Sequence, residues 1–164
     1  MEYSKMVHEP KLSEATFRFE VWPTTQKYVT QRFGDNPGDY AQFGLPGHEG
    51  IDLSSPLGTP YTAVADGVVI WASDQRRSGG ASAYGWHVIL DHGGGYTTLY
   101  AHAAVWPFPA VGDVILAGDI VAFSGNTGNS SGPHLHLTLK KEGYQLPGWP
   151  AGYMDPWPFL EPLL

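Results

Sequence analysis

From residue 61 to residue 139, short apolar runs recur along the chain. Each is cut off by Gly, Asp, Asn or Pro before it could complete three turns of helix. No ten-residue window carries a helical stripe, so the chain must be built from short strands joined by turns. The 21 Gly and 14 Pro are spread without a period, as many turns would require. At 164 residues this describes one mostly β domain, a single antiparallel sheet or sandwich.

Residues 1–15 are polar and aperiodic and read as a flexible N-terminal arm, leaving 16–164 as the folded domain. Phe17, Phe19 and Val21 alternate with Arg18 and Glu20, which predicts a strand ended by Pro23. Three hairpins are expected: residues 61–65 with 68–71 about Asp66 and Gly67, 87–91 with 96–101 about the HGGG turn, and 114–116 with 120–123 about 117–119. A polar loop, 125–133, leads into a strand over 134–139. Two long Gly-rich loops, 34–47 and 73–86, have the length and composition of functional loops and are expected to border a site.

Charge and composition exclude several partners. With nine Lys plus Arg and a net charge of −7, the chain lacks the basic stripe that phosphate binding needs, so nucleic acid is not an expected partner. No apolar run reaches the roughly 18 residues of a membrane span, so no membrane insertion is expected. The first residues, MEYSKMVHEPK, show no secretory h-region. Without Cys, any metal must sit on His and carboxylates.

Three segments offer such groups. On a strand, Leu135, Leu137 and Leu139 face the core while His134, His136 and Thr138 share the other face, about 7 Å apart. By itself this also fits a solvated outer face. His48 and Asp52 are a HxxxD pair within HEGID, where Gly50, Pro46 and Pro56 argue against a helix. An extended strand would separate the pair by about 13 Å, so a bend at Gly50 is needed if both are to reach one ion. His102 ends a run in which Tyr96, Thr98 and Tyr100 alternate on one face, and alternation groups it with them. A structural histidine closing a hairpin fits that position equally.

Taken together, QRFG (31–34), GHEGIDLSSPLGTP (47–60), ADGVV (65–69), DHGGGYTTLYAH (91–102), GDIVAFSGNTGNSSGPHLHL (118–137) and DPWPFL (155–160) resemble, in order and spacing, the lysostaphin and LytM type of zinc endopeptidase, the β-lytic metallopeptidases. That family cleaves peptide cross-links of bacterial peptidoglycan. The resemblance implies one zinc per chain held by His48, Asp52 and His136, with His102 and His134 acting on substrate and water. It departs from the family pattern at Ala103, where Leu is usual, and at Thr138 and Leu139, where an acidic residue is often found. His87, His92 and His8 have no role in that pattern and read as hairpin, turn and tail residues.

The resemblance further implies action on the cell wall, extracellular, periplasmic or phage-delivered. A non-catalytic wall-binding or hydrolase-activating domain of the same fold is the alternative, but such domains lose one or more of the five polar positions, and all five are present here. Tyr40, Phe43, Tyr84, Trp86, Trp106 and Trp149 lie in the long loops and are candidate groove walls for substrate.

Overall fold

A computed structural model describes residues 16–75, 82–105 and 109–164. The N-terminal arm and Trp106 fall outside the described residues. The principal sheet runs β1 (Val29–Gln31), β2 (Ile51–Ser54), β9 (His134–Lys141), β6 (Tyr96–Ala103), β5 (Trp86–Asp91), β4 (Gly67–Ser73) and β7 (Val114–Ile115) from edge to edge, every pair antiparallel. β10 (Tyr153–Met154) pairs with the C-terminal half of β9, beyond the stretch covered by β2. A second sheet consists of β3 (Pro60–Thr62) and β8 (Ile120–Phe123).

The alternation in HLHLTL positions the core. Leu135, Leu137 and Leu139 are fully buried and pack in one cluster with Tyr100, Val88 and Leu90 of the principal sheet and with Tyr61, Val121 and Ala122 of the small one. Each such buried side chain stabilises the fold by about 1.5–3 kcal/mol. Two tyrosines tie the layers with directed bonds: the Tyr61 hydroxyl donates to the His134 carbonyl (2.7 Å), and the Tyr100 hydroxyl accepts the Val64 N–H (3.0 Å). The β5–β6 hairpin forms as expected. Its turn takes positive φ at Gly93, Gly94 and Gly95 in succession, which only glycine does without strain.

The other two expected hairpins do not form. β3 and β4 belong to different sheets, and the Asp66–Gly67 turn carries the chain from one to the other, with the Asp66 carboxylate accepting the Ala117 N–H (2.8 Å). Likewise β7 pairs with β4 and β8 with β3, so residues 117–119 connect sheets instead of closing a ladder. A tight-turn signal is local and carries no information about which strand completes the pair.

The 16–21 segment keeps its alternation, with Phe19 buried and Arg18 and Glu20 exposed, but it is not a strand. The Glu20 and Val21 N–H groups both donate to the single carbonyl of Val64, and burial of Phe19 holds the segment in place. The loop 34–47 contains a helical turn, α1 (Pro37–Tyr40), and a 3₁₀ turn over Ala41–Phe43. Near the C-terminus a second short helix, α2 (Trp157–Leu160), seats Leu160 in the core. Among the described residues, no helix is long and apolar enough to cross a membrane.

Candidate metal centre

The face of β9 opposite the leucines carries His134 and His136, and antiparallel register sets Asp52 of β2 directly across from His136. His48 arrives from the irregular segment before β2, bent back so that its Nε2 lies 3.1 Å from Asp52 Oδ1. The bend occurs beside Gly50, where a Cβ would meet the Leu137 carbonyl at 2.5 Å and the His136 ring at 2.9 Å. His136 Nδ1 completes a triangle, 2.9 Å from Asp52 Oδ1 and 2.8 Å from His48 Nε2. All three residues are buried.

Hydrogen bonds on the outer side of each ring determine which nitrogen faces inward. A carbonyl can only accept, so His48 Nδ1 donates to Arg32 O (3.0 Å), His134 Nδ1 to Gly132 O (2.7 Å) and His102 Nδ1 to Thr127 O (2.7 Å). Each then turns its Nε2 toward the site. His136 is reversed: Nε2 faces Thr138 Oγ1 at 3.0 Å and Glu49 Oε1 at 3.6 Å, and Nδ1 faces the triangle. Outer partners of this kind orient the imidazoles of metal sites.

The triangle therefore brings two imidazole nitrogens and a carboxylate oxygen together, ligand atoms that only protons on the imidazoles or a shared cation can hold at these distances. Such a cluster calls for a cation at its centre. Burial alone would raise the Asp52 pKa, but hydrogen bonds from His136 and His48 outweigh it and hold the carboxyl well below the usual range. Burial would lower that of His136, yet the Asp52 bond and charge push it upward. A tetrahedral ion with bonds of about 2.0–2.2 Å spaces its ligand atoms roughly 3.3–3.6 Å apart, so the triangle's edges of 2.8–3.1 Å need open by only a few tenths of an ångström to hold one. The donor set thus fits a small divalent metal.

Glu49 is a second buried carboxylate, and His48, Glu49 and His136 also offer ligand atoms within 4.8 Å of one another. We favour Asp52. Its oxygen makes the tighter triangle, whereas Glu49 Oε1 accepts the Tyr84 hydroxyl (3.0 Å) and approaches the outer nitrogen of His136. Nothing in the spacing of Glu49 within HEGID distinguishes it from a solvent-facing residue.

His102 reaches the same face by an unexpected route. Thr98 and Tyr100 point into the core, and Ala101 pairs with His136, so simple alternation would bury His102 away from the site. A positive φ of 57° at His102 breaks the alternation and swings its ring to 4.8 Å from that of His134 and 5.9 Å from that of His136. A left-handed histidine is uncommon and is a form of strain that gathers at functional sites. Burial first, then the nearby His136 charge, pushes its pKa down to about 4, so its ring is neutral near pH 7. His134 Nε2 lies 3.5 Å from Asp52 Oδ2.

The proposed groove walls divide. Tyr84 stacks 5.6 Å from His136 and Tyr40 lies 5.3 Å from His48, so both border the centre. Burial, then the charges of Asp52 and Glu49, push the Tyr40 hydroxyl up to about 12 and keep it a donor. Trp149 stacks on Phe33 at 4.2 Å and stands 6.2 Å from Tyr153, farther along the sheet. Trp86 packs against the core, and Phe43 is exposed, 49% accessible.

The loops are locked together behind His102. A Cβ on Gly85 would collide with the Thr127 backbone, and one on Gly128 with the backbone of Gly85. Gly128 also has φ of 76°. Gly128→Ala should therefore destabilise the protein by about 2–4 kcal/mol and shift the Thr127 carbonyl that orients His102. Urea unfolding tests this: the midpoint of Gly128→Ala should fall below that of the unaltered protein by the corresponding amount.

Fold and site together define a peptidase domain of the lysostaphin type. The catalytic domain of lysostaphin from Staphylococcus simulans superposes with a TM-score of 0.64 at 27% identity, covering 82% of this chain and 92% of that one. Residues 46–147 match peptidase family M23, and the chain belongs to that family. It is 43% identical over 96 residues to the DD-carboxypeptidase/endopeptidase Mpg of Neisseria meningitidis serogroup B, covering 58% of this chain and 20% of that protein. It is 34% identical over 96 residues to the peptidoglycan DD-endopeptidase ShyA of Vibrio cholerae, covering 58% and 21%. The chain thus spans about a fifth of the length of these two relatives.

Proposed function

We propose that this chain is a zinc-dependent endopeptidase that hydrolyses stem or cross-link peptides of bacterial peptidoglycan, acting at the cell wall. The observation that carries this reading is the electron-rich triangle of His48 Nε2, Asp52 Oδ1 and His136 Nδ1, with the inward nitrogens of His102 and His134 beside it. Membership of family M23 and the names of its relatives support the substrate class.

In this reading His48, Asp52 and His136 hold one zinc. When bound, the metal supplies Lewis acidity, polarising a peptide carbonyl and bringing the ionisation of water close to neutral pH. His102 and His134 turn their Nε2 atoms toward the triangle, where each can exchange a proton with water or substrate. Between them they take the proton from the attacking water and return it to the leaving amine. The Thr127 and Gly132 carbonyls hold the two rings in that tautomer throughout. Tyr40 and Tyr84 flank the centre as walls that align the peptide and limit solvent.

Mass spectrometry of fragments released from several purified peptidoglycans tests the proposal directly. The zinc-loaded protein should release peptides with new amino termini at one type of bond, and chelated protein should release none. Wall binding without any released peptide would instead identify a binding domain.

A further inference from the structure

Beyond the metal centre, the same sheet face continues into a cavity of about 300 Å³. It starts at Thr138 and Tyr84, both in contact with the site, and its floor is formed by Leu99 and Ile89, which lie side by side with Thr138 across β6 and β5. Its far end is Lys140, paired in register with Thr97 and held with its Nζ 4.1 Å over the Tyr153 ring. From His136 to Lys140 is four residues of strand, about 13 Å.

Lys140 is the informative residue. It is half-buried, and among the described residues it makes no ion pair. Its neighbour Lys141 is occupied, donating to the Gly94 carbonyl at 2.6 Å. Lys140 also borders the adjoining depression with Asp91 and Glu142, but neither carboxylate is within ion-pair distance of it, and Asp91 already accepts the Gly93 N–H (2.8 Å). In a chain with nine Lys and Arg against sixteen Asp and Glu, this cation has no ion-pair partner among the described residues and stands at the end of a cavity whose Leu, Ile and Tyr walls are interrupted by Ser82, His87, Thr97 and Thr138. A cation in such a place is best matched by an anionic group brought by a ligand, because apolar walls strengthen the attraction that bulk water would screen.

We propose that this cavity is a substrate subsite in which Lys140 reads a carboxylate on the wall peptide, about 13 Å from the bond that is cut. The inference rests on the hydrolytic reading above and adds the chemistry selected. Two parts of a peptide can supply the group: a side chain ending in a carboxylate, or the free α-carboxylate of a neighbouring chain end. A long unbranched side chain entering past Thr138 would lay its methylenes on Leu99 and Ile89 before meeting Lys140.

The test compares kcat/KM of the zinc-loaded protein on synthetic peptides that differ in one group: side-chain carboxylate against side-chain amide, and free against amidated C-terminus. A charge-assisted hydrogen bond contributes about 1.5–3 kcal/mol, so amidating the group that is read should cost roughly 10- to 150-fold. The arm that shows this loss identifies the source. Lys140→Gln should bring the acid-to-amide ratio close to one, Lys140→Glu should reverse it toward a side chain ending in an amine, and Lys140→Arg should restore most of it. Equal cleavage of acid and amide by the unaltered protein, or an unchanged ratio in Lys140→Gln, overturns the proposal. If the unaltered protein cuts none of the peptides, the hydrolytic reading fails separately. Calorimetric binding of the acid and amide peptides to the unaltered and Lys140→Gln proteins then decides the subsite: a preference for acid that disappears in the variant supports it, and no preference overturns it.

Discussion

Replacing His48, Asp52 or His136 with alanine is expected to remove zinc and hydrolysis together. Each contributes one corner of a triangle with edges of 2.8–3.1 Å, and two remaining protein ligands rarely hold the ion. Changes to outer partners of metal ligands already cost 10- to 100-fold in affinity, so loss of a ligand should weaken binding by more than about 100-fold. Asp52→Asn is the sharper variant, since it keeps the shape while removing the charge. Glu49→Gln is its counterpart: with Asp52 as the ligand, this change should leave zinc stoichiometric. Elemental analysis after dialysis, with circular dichroism to verify the fold, reads both results. An Asp52→Asn protein that keeps its zinc beside a Glu49→Gln protein that loses it would transfer the carboxylate role to Glu49.

Where a property depends on local alternation, it was legible from the residues alone. The leucines of β9 fill the core and its histidines face the other way because period-two alternation is a property of one strand. The HGGG hairpin was equally legible, since three consecutive glycines leave few other conformations. The HxxxD bend was inferable from Gly50 but its sharpness was not, because it depends on how closely β9 approaches. The partners of β3, β4, β7 and β8 were misread for a related reason: pairing is a long-range choice, and a turn dipeptide serves a crossover between sheets as well as a hairpin. The side of β6 on which His102 emerges depends on one positive φ, which nothing about histidine announces. The groups that set its tautomer and that of His48 are main-chain carbonyls of Thr127 and Arg32, and any residue could supply them.

That orientation makes the two remaining histidines separable from the three ligands. His102 and His134 are both tied through Nδ1 to carbonyls, with rings 4.8 Å apart, and neither belongs to the 2.8–3.1 Å triangle. Their alanine variants should therefore keep stoichiometric zinc while hydrolysis falls about 10²- to 10⁴-fold, the range for a lost proton-transfer or oxyanion-stabilising group. His102→Ala carries a further signature, since it removes the ring but keeps a Cβ at a left-handed position and so keeps the backbone strain. His102→Gly relaxes the positive φ without restoring the imidazole, so it should equal or exceed the alanine variant in stability and match it in lost activity. Within HLH the contrast is sharpest, because His134 and His136 sit two residues apart on one face yet present opposite ring nitrogens to the site. Zinc lost from His134→Ala but kept by His136→Ala would exchange their roles. Full activity in both would move the reaction away from this face of the sheet.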